Sequence, residues 1–509
     1  MKLTLWDRLV SWFSPEAGLR RLRFRTAAGL MESIKPPSRR GYDAAQPGRR
    51  TDGWARNRGD VNAVIQRAAG ELRMHARDLL RNNAWARRAV RVIANNTVGW
   101  GIVPKAAGGS AEANAEAMKR WKAWAETTAC DADGRLTFAG LQHLVVKSIV
   151  TDGEILVRRR YRRAADGLPI PLQLQVLEAD FLDTAKDGID APAGGPIVQG
   201  VEYDLIGRRV AYWLFEEHPG SSSSTGKVSK RVPARDILQP FYQERPGQTR
   251  GVSWLGSVIV GLKDLDDYED AELLKQKIAA CFTAFVTDRD GGGGGTIATT
   301  AGQLGTQSAT EDLVEELEPG QINHLAGDKE VTFGNPPQVT VDNFTVRNLR
   351  KIAAGFGISY EDLTGDYTLV NFSSARMGRI AFTGNVRDWQ TNVMIPFCTG
   401  VWAWAMEGLA LDLGAEWTVP PLPMLEPDKE GLAIQRLIRV GALTPSGMVR
   451  EQGGDPDAHW EEYSADMKKL DELGIKLDSD VRAVSQAGLT QQRAGVGGED
   501  KPPPKPVDE

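Results

Sequence analysis

The chain has 509 residues, enough for about three domains. Hydrophobic residues make up 41%, charged residues 25% and aromatics 7%, which excludes a collagen-like or wholly disordered chain. A formal charge of −5 excludes a global polycation built to wrap nucleic acid, yet it averages two unlike parts: residues 1–100 carry net +12 and the other 409 net −17. A basic head on an acidic body points to different partners at the two ends.

Leu3, Trp6, Leu9, Val10 and Phe13 recur at helical spacing, so an amphipathic docking helix is predicted, ended by Pro15. Asp7 and Arg8 interrupt what would be a signal-peptide core, so no secretion is expected. Residues 35–60 are rich in Pro, Gly and Arg without periodicity and read as an extended arm. One or two helices follow over 61–98, with Leu79, Leu80, Trp85, Val90 and Ile93 as the apolar stripe and Gly99 and Gly101 as the stop. From 136 to 260 helix alternates with strand, and the serine run at 221–225 marks an exposed loop.

A long helix is predicted over 258–286. Its apolar stripe is Leu262, Leu265, Leu274, Ile278, Cys281, Phe282 and Phe285, and Asp264, Asp266, Asp267, Glu269, Asp270 and Glu272 crowd its first half. Five glycines at 291–295 open a low-complexity stretch to Thr310, and 313–341 returns as short strands and turns. A second helix spans about 343–357. A third runs from Ser373 as N-cap to about Leu411, kinked at Pro396. Residues 428–477 are helical, and 486–509 form a disordered tail. The uncharged run 393–406 is too short to span a bilayer.

Reaction chemistry is sparse. The stretch Gly220–Gly226–Lys227 has five residues between its glycines where a P-loop has four, and Val228 stands where the magnesium-binding hydroxyl belongs. Asp131-Ala132-Asp133-Gly134 lacks the third spaced acid of a calcium loop and has Gln142 at the closing position, so a turn is expected. Five isolated histidines make no metal cluster, and Glu178, Asp180 and Asp183 read as a solvated acidic loop. Cys130, Cys281 and Cys398 are odd in number and far apart, as buried free thiols are. No enzyme, cofactor or metal is expected.

Six blocks in order carry a family resemblance: ARDLLRNNAWARRAVRVIANNTVGWGI (76–102), CDADGRLTFAGLQHLVVKSIVTDGEILV (130–157), LQVLEAD (174–180), VPARDILQPFYQERPGQTRGVSWLGSVI (232–259), LEPGQINHL (317–325) and IAAGFGISYEDLTGDYTLVNFSSAR (352–376). Together the chain resembles the portal proteins of tailed bacteriophages, lambda-type family, over about residues 60–460. Gln239 stands where that family often has His, and the glycine run looks like a local insertion.

The resemblance implies an α+β portal-type fold assembled as a ring, usually of twelve copies, at one vertex of the capsid. DNA is packaged through its channel by a separate terminase and ejected through it. The implied parts are a basic arm (1–60), a mixed α/β wing (61–257), stem helices (258–286 and 343–362), a small α/β clip (287–342), a tunnel loop (365–374), a kinked channel or wing helix (375–427), a helical crown (428–485) and the tail (486–509). The implied partners are further copies, non-specific duplex DNA, the terminase large subunit, major capsid and scaffold proteins, and head-completion or tail adaptors, with no membrane. The implied location is the virion, and the host cytoplasm during assembly.

The residues fit these expectations. A basic lining would bind duplex DNA at many positions through counterion release, which a conduit has to avoid. The six acids of the first stem helix would form negative belts in a ring. Arg347, Arg350 and Lys351 would pair with them between neighbours or form a positive ring against phosphate. Asp366, Tyr367, Thr368, Leu369, Val370, Asn371 and Phe372 would form the tunnel loop. The bland alternative for Leu369 and Phe372 is a staple on the following helix. The rival functions are a basic-armed capsid-associated DNA-binding protein and a packaging ATPase.

Overall fold

The computed structural model describes residues 12, 14–17, 19, 59–188, 191–222, 228–280, 284–288, 329–333, 342–368, 370–421, 424, 426–475 and 477. The chain divides into two compact units, residues 1–59 and 60–509. In the first, Trp12 is helical, Ser14 is not, and residues 15–17 are helical again. Pro15 thus opens a helical turn, where its missing N–H is harmless.

The second unit opens with α1 (Val61–Asn82) and α2 (Ala84–Val98). One residue, Asn83, divides the predicted 61–98 helical stretch: it is extended, and its Oδ1 accepts from the Ala86 N–H as the N-cap of α2. Leu79, Val90 and Ile93 are buried and Leu80 and Trp85 pack beside them, as the stripe predicts. Next come β1 (Val103–Ala107), α3 (Ala111–Ala125) and α4 (Phe138–Asp152), the helices capped by Ser110 and Thr137.

Ten strands and eight α-helices then follow among the described residues. The strands β2 (Leu156–Tyr161) and β3 (Leu172–Leu177) are succeeded by β4 (Gly194–Val198), β5 (Val201–Asp204), β6 (Arg209–Phe215), β7 (Ser229–Pro233) and β8 (Ile237–Leu238). After α5 (Ile259–Ala280) come β9 (Ala284–Asp288), β10 (Lys329–Phe333), α6 (Asp342–Phe356), α7 (Tyr360–Thr364), α8 (Phe372–Trp389) and α9 (Ile395–Leu409). The chain continues with β11 (Gly414–Thr418), α10 (Pro427–Arg439), α11 (Pro445–Glu451) and α12 (Pro456–Leu473). Among the described residues the named strands pair antiparallel: β3-β2-β8, β4-β5-β6-β7, β9-β10, and β1-β11, where Val103 meets Thr418.

The main core joins α2, α3, α4, α6, α8 and α9. Its aromatic centre is Trp121, whose ring lies 5.1 Å from Trp402 and 5.3 Å from Phe138. The buried Gln142 bonds both backbone groups of Ile102, at 2.8 and 2.9 Å. A second core lies between the three- and four-stranded sheets, around Leu156, Leu177, Val201, Tyr212 and Leu214. No helix among the described residues is long and apolar enough to cross a membrane.

Several expectations are corrected. The helix predicted over 258–286 stops by Ala280, and 284–288 pairs instead with 329–333 as a β ribbon. Leu274 is 59% exposed and so outside any single-chain stripe. The helix after the predicted loop is capped by Asn371, whose Oδ1 accepts from the Ser374 N–H at 2.8 Å, rather than by Ser373. Pro396 does not simply kink one long helix: a π turn, Gln390–Met394, separates α8 from α9. A wider turn there relieves the clash a proline ring makes with the preceding turn of an α-helix.

Two glycines let segments about 100 residues apart approach closely. Gly153 ends α4 in the left-handed region, and a Cβ there would sit 2.3 Å from the Val252 carbonyl carbon. A Cβ on Gly251 would lie 2.1 Å from the Gly153 oxygen. The backbones cross in contact, so Gly153→Ala is expected to cost about 3 kcal/mol or more from left-handed strain plus overpacking. Urea unfolding of the purified variant checks this, and a loss under about 1 kcal/mol would mean that the crossing opens freely.

Candidate functional site

The six acids of α5 do not share one surface. Asp264, Asp267 and Asp270 recur every third position and are exposed. Lys263 reaches Asp267 at 2.6 Å along the same helix. Asp266 is half-buried and accepts from Asn83 Nδ2 at 2.7 Å, while Glu272 takes Lys275 at 3.5 Å. Glu269 is pushed above the ordinary carboxylate range by desolvation and by the charges of Asp266 and Asp270, against a bond from the Trp85 side chain. The inner turn of α5 is seated by buried Leu262 and Leu265, and Tyr268 meets Phe344 of α6 at 4.6 Å.

On α6, Leu349, Ile352, Ala353 and Phe356 face the core, leaving Arg347, Arg350 and Lys351 outward. The Arg350 guanidinium stacks over Tyr360, 5.4 Å from the ring centre. Among the described residues, none of the three basic groups forms an ion pair with an acid of α5.

The expected tunnel loop lies between α7 and α8. Gly365 ends α7 in the left-handed conformation, with its N–H on the Glu361 oxygen at 2.7 Å. Asp366 Oδ1 accepts from the Thr368 N–H at 3.0 Å and from its hydroxyl at 2.6 Å, a closed turn that holds the Asp366 carboxyl below its ordinary range. Tyr367 is 59% exposed, Thr368 and Asn371 are exposed, and Val370 is half-buried. Leu369 and the Phe372 side chain lie outside the described residues, so the staple contact does too. The loop is anchored from below where Arg88 Nε donates to the Asp362 carbonyl at 3.0 Å.

A buried ionic cluster went unread in the sequence. Glu154 is 1% exposed and accepts from Arg250 Nε at 2.6 Å, Gln239 Nε2 at 2.7 Å and the Gly251 N–H at 3.0 Å. Burial pushes its carboxyl up, but Arg250, Arg73 and the Gly251 N–H hold it on balance below the usual carboxylate range. Next to it, Arg77 grips Asp152 through two bonds, 2.9 and 2.7 Å, and reaches Asp180 at 2.6 Å and Glu178 at 3.1 Å. The acidic loop expected to be solvated is therefore neutralised from α1; the sequence hid this because the arginines lie about 100 positions away. Asp183 is buried as well, accepting from Ser229 Oγ at 2.5 Å.

The remaining motifs settle simply. The Asp131 side chain accepts from the Asp133, Arg135 and Leu136 N–H groups, which is a turn. Cys130 and Cys398 are buried free thiols, and burial pushes Cys130 up to about 12. Residues 223–227, Cys281, the glycine run, most of the clip segment, most of the basic arm and the tail lie outside the described residues.

The family described as "Phage portal protein, lambda family" matches residues 47–390 of the chain. The probable portal protein of Halomonas phage phiHAP-1 is 27% identical over 499 residues, covering 92% of this chain and 94% of that protein. Portal protein B of Escherichia phage lambda is 24% identical over 350 residues, covering 59% of this chain and 61% of its own length. Among solved structures, a chain from the neck of a native gene transfer agent particle, computed with C12 symmetry, is similar with a TM-score of 0.44 and 17% identity; the match covers 75% of this chain and 94% of that one.

Proposed function

The chain belongs to the lambda family of phage portal proteins, and from that premise we propose that it assembles as a ring at one capsid vertex, the passage through which DNA is packaged and later ejected. The observation that carries this reading is the family match over 47–390, which spans the proposed wing, stem, clip and tunnel loop. The fold supports the division. Two helices, α5 and α6, touch through Tyr268 and Phe344 and bracket the β9-β10 ribbon, as stem helices projecting a clip would.

In this reading the exposed row Asp264, Asp267 and Asp270 faces away from the chain's own core, and so do Arg347 and Lys351. Pairing across the boundary between copies would give Asp264, Asp270, Arg347 and Lys351 acid–base partners across the row, where Asp267 already holds Lys263 of its own helix. The loop at 366–372 narrows the channel with side chains that do not ion-pair with phosphate, Asp366 excepted, and that one is turned into its own backbone. The terminase large subunit, capsid and scaffold proteins and tail adaptors act on the ring from outside. The chain itself does structural work, in the host cytoplasm during assembly and then in the virion.

Negative-stain imaging of the purified protein tests the reading: rings with a central hole are expected. Deleting residues 1–50 of the basic arm should leave those rings intact while lowering incorporation into capsids. Single globular particles at every protein concentration would overturn the ring. Loss of rings on truncation alone would move the arm from capsid contact to assembly.

A further inference from the structure

Strand β2 carries arginines on both faces, and the two faces are treated oppositely. Successive strand residues alternate in direction. Arg159 points toward the main core side, where Asp236 and Glu407 bind it at 2.7 and 2.5 Å. Arg158, Arg160 and, one residue past the strand, Arg162 share the other face. Arg160 Nε donates to Gln175 Oε1 at 2.9 Å, and Arg162 Nε donates to Gln173 Oε1 at 2.7 Å. Both partners are neutral amides from β3, so they orient each guanidinium without neutralising it. Among the described residues, none of these three arginines has a carboxylate within ion-pair distance. Arg73, Arg77, Arg231 and Arg250 all do.

The row is also accessible. Its inner end abuts the second core at Leu156 and Leu177; beyond it Arg158 and Arg160 are half-buried and Arg162 is exposed. Successive rungs lie about 6.6–6.8 Å apart, from a strand rise of about 3.3–3.4 Å per residue. Because the glutamines occupy Nε, the terminal nitrogens of Arg160 and Arg162 remain for a ligand, and a guanidinium fork suits phosphate oxygens. Burial, and then the charges of Arg158 and Arg162, hold Arg160 below the ordinary guanidinium range, as expected of a cation row without its counter-anion.

We propose that the Arg158–Arg160–Arg162 ladder binds the phosphate backbone of DNA as a stationary grip, apart from the segments proposed to line the channel. The proposal rests on the portal reading, which brings duplex DNA to this protein. A row of fixed cations takes a nucleic-acid strand of any sequence, whereas a protein ligand needs an acid at every second residue. A grip of this kind on the channel wall would brake translocation; on the wing it does not.

The test uses the full chain and a short labelled duplex, with binding followed by fluorescence anisotropy across a salt series. In the triple variant R158Q/R160Q/R162Q the slope of log affinity against log salt is expected to fall by about 2.7, at roughly 0.9 per lost phosphate contact. Arg160→Lys keeps the charge, so it should keep the slope while weakening binding. Should the triple variant fail to fold, Arg160→Gln alone should lower the slope by about 0.9. An unchanged slope overturns the ladder. So does wild-type binding of a poly-glutamate peptide that is lost in the variant while DNA binding is not, which would assign the face to an acidic protein partner. Imaging of the same samples separates the two levels: rings with an unchanged slope refute the ladder alone, whereas wild-type protein without rings refutes the portal reading.

Discussion

Arg250→Ala is expected to lose about 3–5 kcal/mol of stability near neutral pH, because it strands Glu154 in the interior. Gln239 and the Gly251 N–H would still donate to the carboxylate, but the remaining cation, Arg73, is 4.0 Å away. The pH dependence gives the variant its signature. In the wild type the Glu154 carboxyl is held below its unfolded value. Its contribution is therefore present above the unfolded value and lost as pH falls through the folded one. Without Arg250 the folded value rises above the unfolded value, so the variant gains from bound protons. Its deficit should be largest near pH 7 and shrink below about pH 5, toward the ordinary carboxylate range. Urea unfolding of both proteins at the two pH values checks this. An equal deficit at both would mean that lost packing, not the uncovered charge, sets the cost.

The second large effect is functional. Replacing residues 367–370 by Gly and Ser, while keeping Asp366 and Asn371, preserves the cap of α8 and leaves the wing and stem untouched. Rings should form as in the wild type. Phage carrying the variant should retain far less DNA, because Tyr367 and Val370 no longer present bulk at the proposed constriction. The ratio of full to empty heads on a density gradient measures it. Heads filled to the normal extent would show that the loop is not a valve and would favour the stapling role of Leu369 and Phe372.

Much of the helical scaffold was legible because it follows periodicity: Leu79, Val90 and Ile93 in α2 and its predecessor, and Leu349, Ile352 and Phe356 in α6, fall where the 3.6 repeat places them. Boundaries failed where two signals compete. Residues 284–288 continue an apolar run at helical spacing, but their β-forming side chains meet a partner strand more than 40 positions later, which periodicity does not register. Asn371 outranked Ser373 as a cap although both residue types serve: the helix already begins at Phe372, so Ser373 lies inside it and Asn371 is the flanking residue whose side chain reaches the Ser374 N–H. The ionic cluster was invisible for a different reason. Arg73, Arg77, Glu154, Asp180 and Arg250 lie in four separate stretches, and each alone reads as a solvated charge. The arginine ladder was printed openly as RRRYRR, yet only the strand alternation separates Arg159, which is paired, from its unpaired neighbours.

The π turn at Gln390–Met394 alters what a change in length means at this point of the chain. Within an uninterrupted α-helix, one residue fewer turns everything beyond it by about 100° about the axis. A π turn holds one residue more than the α turn it replaces, so it can give that residue up and close to an ordinary turn. Phe397, Val401 and Trp402 would then still point into the main core, and the Trp402 indole would keep the Leu413 carbonyl it bonds at 2.7 Å. The same deletion one turn further along α9 would swing them toward solvent. An alignment gap in a related chain at Gln390–Met394 therefore signals a closed turn, whereas a gap inside α9 signals a rotated helix.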